Sequence, residues 1–242
     1  MEITMPKKKK LDIVYILKLQ LDTEELKYSL RSVEANFPHR FVWFICGQPK
    51  GFIPDRAIKH AQTGSSKWEL IRSSMLAAVK EPELSDEFYL FNDDFFIMKP
   101  VTEPFTNMVD GTLSERIEQF RQEFPWLSPY ARTLLKAKEE LKILGKGEAN
   151  FDVHLPMLFK KNLVTQSLMQ CSSPQMRSVY GNLNDIPYTL HKDVKVFDMD
   201  YVPIDPDYLS TNDNTFKQGK VGEYIRAQFP KPSRFERGEC HG

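Results

Sequence analysis

The chain has 242 residues, of which 41% are hydrophobic and 12% aromatic. That is enough apolar material for one sizeable core, and it excludes a natively disordered protein. The 33 Lys and Arg residues balance 33 Asp and Glu residues, so no global charge holds a polyanion or draws the chain to an acidic membrane surface. The three cysteines are scattered and contain no CxxC pair, which favours a reducing compartment over a disulfide framework.

The first apolar stretch, residues 11–17, is too short for a signal peptide or a membrane span. We therefore expect a cytoplasmic protein with no membrane span. Its sequence, LDIVYIL, is rich in β-branched and aromatic residues and predicts a strand buried on both faces of a mainly parallel sheet. A helix from about Leu26 to Phe37 and a strand over 41–46 follow, so the chain opens with a βαβ unit.

Further along, residues 68–79 have the apolar spacing of an amphipathic helix, and a charged, helical pattern over about 110–148 indicates a helical insertion interrupted by Pro125 and Pro129. We interpret residues 1–242 as one α/β domain. The other elements predicted from the pattern are a strand over 88–91 that resumes over 95–98, two short ambiguous elements over 153–159 and 163–169, a late strand over 195–202, a loop over 203–222 and a helix over 223–229.

Three polar residues, Asn92-Asp93-Asp94, separate the two apolar halves of the strand near residue 90. Unpaired buried carboxylates are unfavourable unless they bind a cation or become protonated. Asp and Asn oxygens suit Mg²⁺ or Mn²⁺, which complete their coordination with waters and substrate phosphates. Ligands of open α/β sheets bind beyond the carboxyl ends of strands, where this turn falls. The alternative is an Asx turn that joins two strands of a hairpin.

Four segments in order, LDIVYIL, ELKYSLRSVEANFP, FVWFICGQP and FYLFNDDFFIMKPV, resemble the first blocks of the Stealth family of sugar-phosphate transferases. They are also similar, more generally, to GT-A glycosyltransferases with their DxD motif. The resemblance covers residues 11–101, and YxxFNDDFF is its most specific element. It departs from the Stealth pattern at residues 17–20, Leu-Lys-Leu-Gln, where that family usually continues as Trp-Val-Asp-Gly.

The resemblance implies a GT-A-like fold, a mostly parallel sheet flanked by helices, and a nucleotide-diphosphate sugar donor. It also implies that Asn92, Asp93 and Asp94 face the donor diphosphate and its metal, with Asp94 the direct ligand. Tyr15 would lie beside the base or ribose, or else in the core. Arg31 would bind a phosphate, or else pair with Glu34 at the surface.

Lys67 and Arg72 lie at the start of the helix over 68–79, where a helix N-terminus offers an anion site. The alternative is a plain helix cap with solvated basic side chains.

Asp152 and His154 are two residues apart, so on an extended segment they point to one side. The pair could supply a general base for an acceptor hydroxyl, and His154 could instead join Asp93 and Asp94 as a metal ligand. A core histidine is the alternative. His154-x-Pro156 resembles an element of the third Stealth block.

Asp213, in an Asn- and Asp-rich segment that resembles the terminal block, would face the donor as a catalytic acid, or else belong to a turn.

These features lead us to expect a Mn²⁺- or Mg²⁺-dependent glycosyltransferase that acts on a hydroxyl of a polysaccharide, a protein or a modified DNA base. Transfer of hexose 1-phosphate, as in the Stealth family, is an alternative. A non-catalytic binding module, in which the acids hold a structural cation or form turns, is another.

Overall fold

The structure is a computed structural model that describes residues 10–17, 24–61, 67–124 and 126–237, without the side chains of Lys67 and Trp68. No helix in these ranges is long and apolar enough to cross a membrane. The strands are β1 (Asp12–Leu17), β2 (Val42–Cys46), β3 (Arg56–Ile58), β4 (Glu87–Phe91), β5 (Phe95–Ile97), β6 (Met108–Val109), β7 (Met157–Lys160), β8 (Thr189–Leu190) and β9 (Tyr208–Ser210). The helices are α1 (Glu24–Asn36), α2 (Lys67–Lys80), α3 (Leu113–Glu123), α4 (Pro129–Ile143), α5 (Lys161–Gln170), α6 (Met176–Leu183), α7 (Asp213–Lys217) and α8 (Lys220–Gln228).

The central sheet has five strands in the order β3-β2-β1-β4-β7, all parallel except β7. The chain leaves β1 for β2 on one side and later returns to β4 on the other, so the strand order reverses between β1 and β4. In open α/β sheets a crevice forms at such a point, beyond the carboxyl ends of the strands. The prediction of an α/β fold with a mostly parallel sheet and an opening βαβ unit is confirmed.

Helices cover both faces of the sheet, as the continuous apolar pattern of β1 predicts. Alternate residues of β1 point to opposite faces. Ile13, Tyr15 and Leu17 pack in the same cluster as the apolar side chains of α1. Val14 packs on the other face with Met75 of α2 and with side chains of α5 and α6.

The predicted helical insertion forms the two helices α3 and α4. Thr112 caps α3 through a capping box with Glu115, and Ser128 caps α4. Pro129 begins α4 at its first turn, where its missing N–H is tolerated. The apolar sides of α3 and α4 pack with Val179 of α6 in a separate cluster.

Two predictions near the C-terminus are wrong. Residues 195–202 do not form a strand, since only Lys195 pairs there, in an isolated bridge with Ser210. The predicted loop over 203–222 contains β9 and α7, and the last helix begins at Lys220. Strand β9 has three residues and α7 has five, so neither is long enough to show a periodic apolar pattern.

The hairpin alternative for Asn92-Asp93-Asp94 is also wrong. Strand β4 pairs with β1 and β7, whereas β5 pairs with β9 in a separate two-stranded sheet. The turn between β4 and β5 therefore carries the chain out of the central sheet at its carboxyl edge. That position exposes the three polar side chains to the crevice between β1 and β4.

Candidate functional site

A cleft of about 1230 Å³ opens at the carboxyl ends of β1 and β4, where the strand order reverses. Ligand pockets usually measure ~300–1,000 Å³, so this cleft has room for more than one small ligand. Its walls come from the ends of β1 and β4, from α3, α4 and α6, and from the segments around residues 152–154 and 193–197. Asn92, Asp93, Asp94, Asp152, His154 and Asp213 all line it.

The Asn92-Asp93-Asp94 turn is held in the cleft from three sides. Asn92 Oδ1 accepts a hydrogen bond from Arg177 at 2.9 Å. The Asp94 carbonyl accepts one from the Thr211 amide, next to β9, at 3.2 Å. Asp94 Oδ2 lies 2.8 Å from Lys195 Nζ, whereas Asp94 Oδ1 is buried and has no hydrogen-bond partner within the described residues.

Glu25, in the first turn of α1, brings a further carboxyl group to Asp94. Its Oε1 accepts a hydrogen bond from Thr211 Oγ1 at 2.7 Å. Burial above all, together with the negative charges of Asp94 and Asp213, raises the pKa of Glu25 to about 7, although the Thr211 hydrogen bond lowers it. Asp213 is the first residue of α7, directly after the capping residue Asn212. A carboxyl group that exchanges protons near neutrality therefore faces the turn.

Arg177 connects the Asn92-Asp93-Asp94 turn to the Asp152–His154 segment. Besides Asn92, its guanidinium donates to the Val153 carbonyl at 3.2 Å and to the Leu155 carbonyl. Burial lowers its pKa, while the charges of Asp152 and of other acids of the cleft act in the opposite direction. This buried cation fixes the positions of two segments that lie far apart in the sequence.

Asp152 and His154 both reach the cleft, as their spacing predicts, but they have different surroundings. Ser178 donates its hydroxyl to Asp152 Oδ2, and burial raises the pKa of Asp152. His154 Nδ1 lies 2.8 Å from Asp193 Oδ2, and the His154 amide donates to Asp193 Oδ1 at 3.1 Å. Burial raises the pKa of Asp193, but the hydrogen bonds and charge of His154 outweigh it and lower that pKa below its usual value. Asp193 is thus an ionised carboxylate that orients the imidazole.

Tyr15 is not a cleft residue. It is fully buried in the core cluster on the α1 face, and its hydroxyl lies 2.9 Å from Ser29 Oγ. Its ring packs edge-on against Phe44 and Phe91 of the neighbouring strands. The alternative interpretation of Tyr15, a core aromatic residue, is the one that its position supports.

Arg31 and Arg72 also lie outside the cleft lining. Arg31 forms a bidentate pair with Glu236, at 2.7 and 2.8 Å, and donates to the Phe229 carbonyl, so its partner is neither a phosphate nor Glu34. Arg72 donates to the carbonyls of Leu168 and Cys171 at the end of α5. Both guanidiniums therefore join distant segments of the chain. The side chain of Lys67 and the loop before it lie outside the described residues.

The side chains of this site could hold a divalent cation together with substrate phosphates and waters, which would complete its coordination. The described residues contain no group of three or more His, Cys, Asp or Glu side chains that could hold a metal ion, and a metal-binding role for His154 stays a prediction. The Nδ1 atom of His154 is engaged by Asp193. Asp94 Oδ1, which is buried and has no hydrogen-bond partner within the described residues, is the oxygen of this turn that could bind a cation. Mg²⁺ is commonly held by one or two carboxylates together with waters and substrate phosphates.

Acidic groups predominate in the cleft. Among the described lining residues, the basic side chains are those of Arg116, Arg177 and Lys195. The acidic lining residues outnumber them seven to three: Glu25, Asp93, Asp94, Glu123, Asp152, Asp193 and Asp213. These acidic side chains would repel a diphosphate, and a bound cation would offset that repulsion.

The sequence patterns missed the polar residues that contact or face the Asn92-Asp93-Asp94 turn and His154, namely Glu25, Arg177, Asp193 and Lys195. Glu25 has the appearance of an ordinary first-turn acid, and Arg177 lies in a segment without a motif. Asp193 and Lys195 carry a weak signal, since they alternate with Val194 and so share one side of an extended segment.

No protein-family model matches the chain, and neither does any curated protein. The resemblance to the Stealth family is therefore a hypothesis.

Proposed function

We propose that the chain is a metal-dependent glycosyltransferase of GT-A type, which uses a nucleotide-diphosphate sugar and a hydroxyl acceptor. The observation that carries this proposal is the position of Asn92-Asp93-Asp94. The turn lies at the carboxyl end of β4 where the strand order reverses, and Asp94 lines the large cleft there. This is where an open α/β sheet binds its ligand. Asp94 Oδ1 is buried and has no hydrogen-bond partner within the described residues.

The cleft residues have separate roles in the transfer. Asp94 and Asp93 face the donor diphosphate, and a bound Mn²⁺ or Mg²⁺ would offset the charge of the leaving nucleoside diphosphate. Lys195, 2.8 Å from Asp94, and Arg177, bonded to Asn92, hold the turn in position.

His154 is the candidate general base. When Nδ1–H donates its hydrogen bond to Asp193, Nε2 carries a lone pair that can take the proton of the acceptor hydroxyl. The acceptor oxygen then forms its bond to the anomeric carbon, the bond from that carbon to the diphosphate oxygen breaks, and the nucleoside diphosphate leaves. Glu25 and Asp213 face the same turn and complete its acidic wall.

Thermal melting with Mn²⁺, with nucleoside diphosphates such as UDP or GDP, and with both together tests donor binding. We expect a stabilisation of about 5 °C that needs both metal and nucleotide. Asp94→Asn abolishes it. Asp185→Asn is the matched control, because Asp185 is exposed, pairs with Lys146 and has a positive φ that Asn tolerates.

Product analysis with a panel of nucleotide sugars then tests the reaction. Glycosyl transfer or donor hydrolysis releases a nucleoside diphosphate, whereas transfer of a sugar phosphate releases a nucleoside monophosphate. Release of the diphosphate by the wild type but not by Asp94→Asn supports the proposal. Release of the monophosphate assigns the phosphosugar reaction, and stabilisation without any release assigns a binding module. A wild-type chain that no nucleotide stabilises contradicts a nucleotide-sugar donor.

A further inference from the structure

One wall of the cleft is aromatic, and its residues come mainly from the helical insertion. Arg116 and Phe120 are four residues apart along α3 and so share one helix face, and Phe124 directly follows the last residue of that helix. All three residues line the cleft. The rings of Phe120 and Phe124 are nearly parallel, with centroids 6.4 Å apart. The ring of Tyr130, in α4, packs edge-on against the ring of Phe120, with centroids 5.5 Å apart. The Arg116 guanidinium lies 4.7 Å from the centroid of the Phe120 ring.

A further aromatic side chain, Phe197, lines the cleft from the segment between β8 and β9. Phe197 is 66% exposed and Phe124 is 46% exposed. Neither belongs to any of the apolar clusters formed by the described residues. Exposed aromatic surface concentrated in one cleft, unlike apolar residues scattered singly over a surface, is typical of a ligand site.

The charges of the cleft decide which ligand suits these rings. The seven carboxyl groups exceed the three basic side chains, and each basic side chain already contacts a partner: Arg116 contacts Gln119, Arg177 contacts Asn92 and Lys195 contacts Asp94. A nucleic acid carries a phosphate at each nucleotide and would be repelled along this wall. Carboxylates accept hydrogen bonds from hydroxyl groups, and the apolar C–H face of a sugar ring packs against an aromatic face.

We propose that the aromatic wall formed by Phe120, Phe124 and Tyr130, together with Phe197, is the acceptor subsite, and that it takes an uncharged carbohydrate chain. This inference rests on the proposed transferase function. It selects one of the three classes of acceptor that the sequence leaves open, and it gives the helical insertion a role in acceptor binding.

Isothermal titration of the full chain with neutral oligosaccharides tests the proposal. The probes are maltopentaose, cellopentaose and penta-N-acetylchitopentaose, with a 12-nucleotide single-stranded DNA for comparison. We expect at least one oligosaccharide to bind, and Phe124→Ala and Phe197→Ala each to weaken its binding about fivefold or more. Both residues are exposed, so these variants keep the core intact. Tyr201→Ala is the matched control, because Tyr201 is 55% exposed and does not line the cleft, and it should bind as the wild type does.

Three results would overturn the proposal: no binding of any oligosaccharide, equal binding by the wild type and both phenylalanine variants, or DNA binding that depends on Phe124 and Phe197. Melting of the same variants with Mn²⁺ and UDP separates this inference from the proposed function. If oligosaccharide binding depends on the two rings but no nucleotide stabilises the chain, the transferase function fails and the carbohydrate subsite stands. If nucleotides stabilise the chain and no oligosaccharide binds, the subsite fails and the donor site stands.

Discussion

Asp193 binds His154 at two points, although the two residues are 39 positions apart in the sequence. One carboxylate oxygen lies 2.8 Å from the imidazole Nδ1, and the other accepts the His154 backbone N–H at 3.1 Å. The two contacts fix both the tautomer and the direction of the ring, so that Nε2 remains available as a base. This arrangement makes Asp193 a positioning residue for the proposed reaction.

Asp193→Asn should lower kcat by about 100-fold while KM changes little. The asparagine oxygen can keep the backbone hydrogen bond, which leaves its NH₂ group facing Nδ1, so the imidazole proton moves to Nε2 and the base is lost. Steady-state kinetics with released nucleotide as the readout measures the effect. Asp198→Asn is the control, since Asp198 is exposed in the same segment and outside the cleft lining. A kcat for Asp193→Asn within twofold of wild type would show that His154 is not the base.

Arg177→Met should destabilise the fold by about 3–5 kcal/mol, because it removes a buried cation beside Asp152 and leaves the Val153 and Leu155 carbonyls without this donor. In a chain of this size the melting temperature should fall by roughly 10 °C. Differential scanning calorimetry measures both quantities. Arg132→Met, at an exposed position of α4, should melt within about 2 °C of wild type. Equal melting of the two variants would contradict a structural role for the Arg177 charge.

Glu25→Gln should stabilise the fold at pH 8 and have less effect at pH 5. The pKa of Glu25 is about 7 in the folded chain, above its ordinary value of 4.5, so folding favours the protonated form. That contribution to stability is complete below about pH 4.5 and is lost as the pH rises through 7. The glutamine keeps an oxygen that can accept from Thr211.

We expect the gain from Glu25→Gln at pH 8 to be on the order of 1–2 kcal/mol, a value reduced for the partial exposure of the site. Urea unfolding at pH 5 and pH 8 measures it. Glu139→Gln, at an exposed position of α4, provides the comparison and should change the free energy of unfolding by less than about 0.5 kcal/mol. A gain from Glu25→Gln that is equal at both pH values would contradict the raised pKa.

Gly222→Ala should destabilise the C-terminal helices by about 3 kcal/mol. A Cβ atom at Gly222 would lie 1.7 Å from the carbonyl oxygen of Phe216, which is backbone and cannot rotate away. The Phe216 ring also stacks on Phe96 of β5, with centroids 5.5 Å apart, so relief of the clash would disturb that contact. Denaturant unfolding measures the loss. Gln228→Ala, at an exposed position of α8, should be close to neutral, and a neutral Gly222→Ala would contradict the close packing of α7 on α8.

The local apolar pattern predicted the three inner strands of the central sheet, because burial on both faces of a parallel strand leaves a continuous apolar run. β1, β2 and β4 all have that pattern, and the helical spacing of α1 is equally regular. The pattern did not predict the edge strand β3, and it left the segment of β7 ambiguous. It also failed over residues 195–222, where β9 and α7 are too short to be periodic. Strand β9 pairs with β5, which has left the central sheet and would otherwise expose an unpaired edge.

The sequence by itself determined that Asn92, Asp93 and Asp94 follow a buried strand, since an apolar run interrupted by three polar residues is a local feature. Only the tertiary structure decided which side chains meet that turn. Arg177 donates to Asn92, 85 positions away in the sequence, and Lys195 donates to Asp94, 101 positions away. Glu25, near the N-terminus, has its pKa raised by burial and lies close enough to Asp94 for the charge of Asp94 to raise that pKa further. The tertiary structure also shows that Tyr15, Arg31 and Arg72 do not line the cleft. Each of them forms its hydrogen bonds elsewhere in the fold. The physical reason is that periodicity records which face of an element is buried, whereas contacts between distant polar groups depend on how those elements pack.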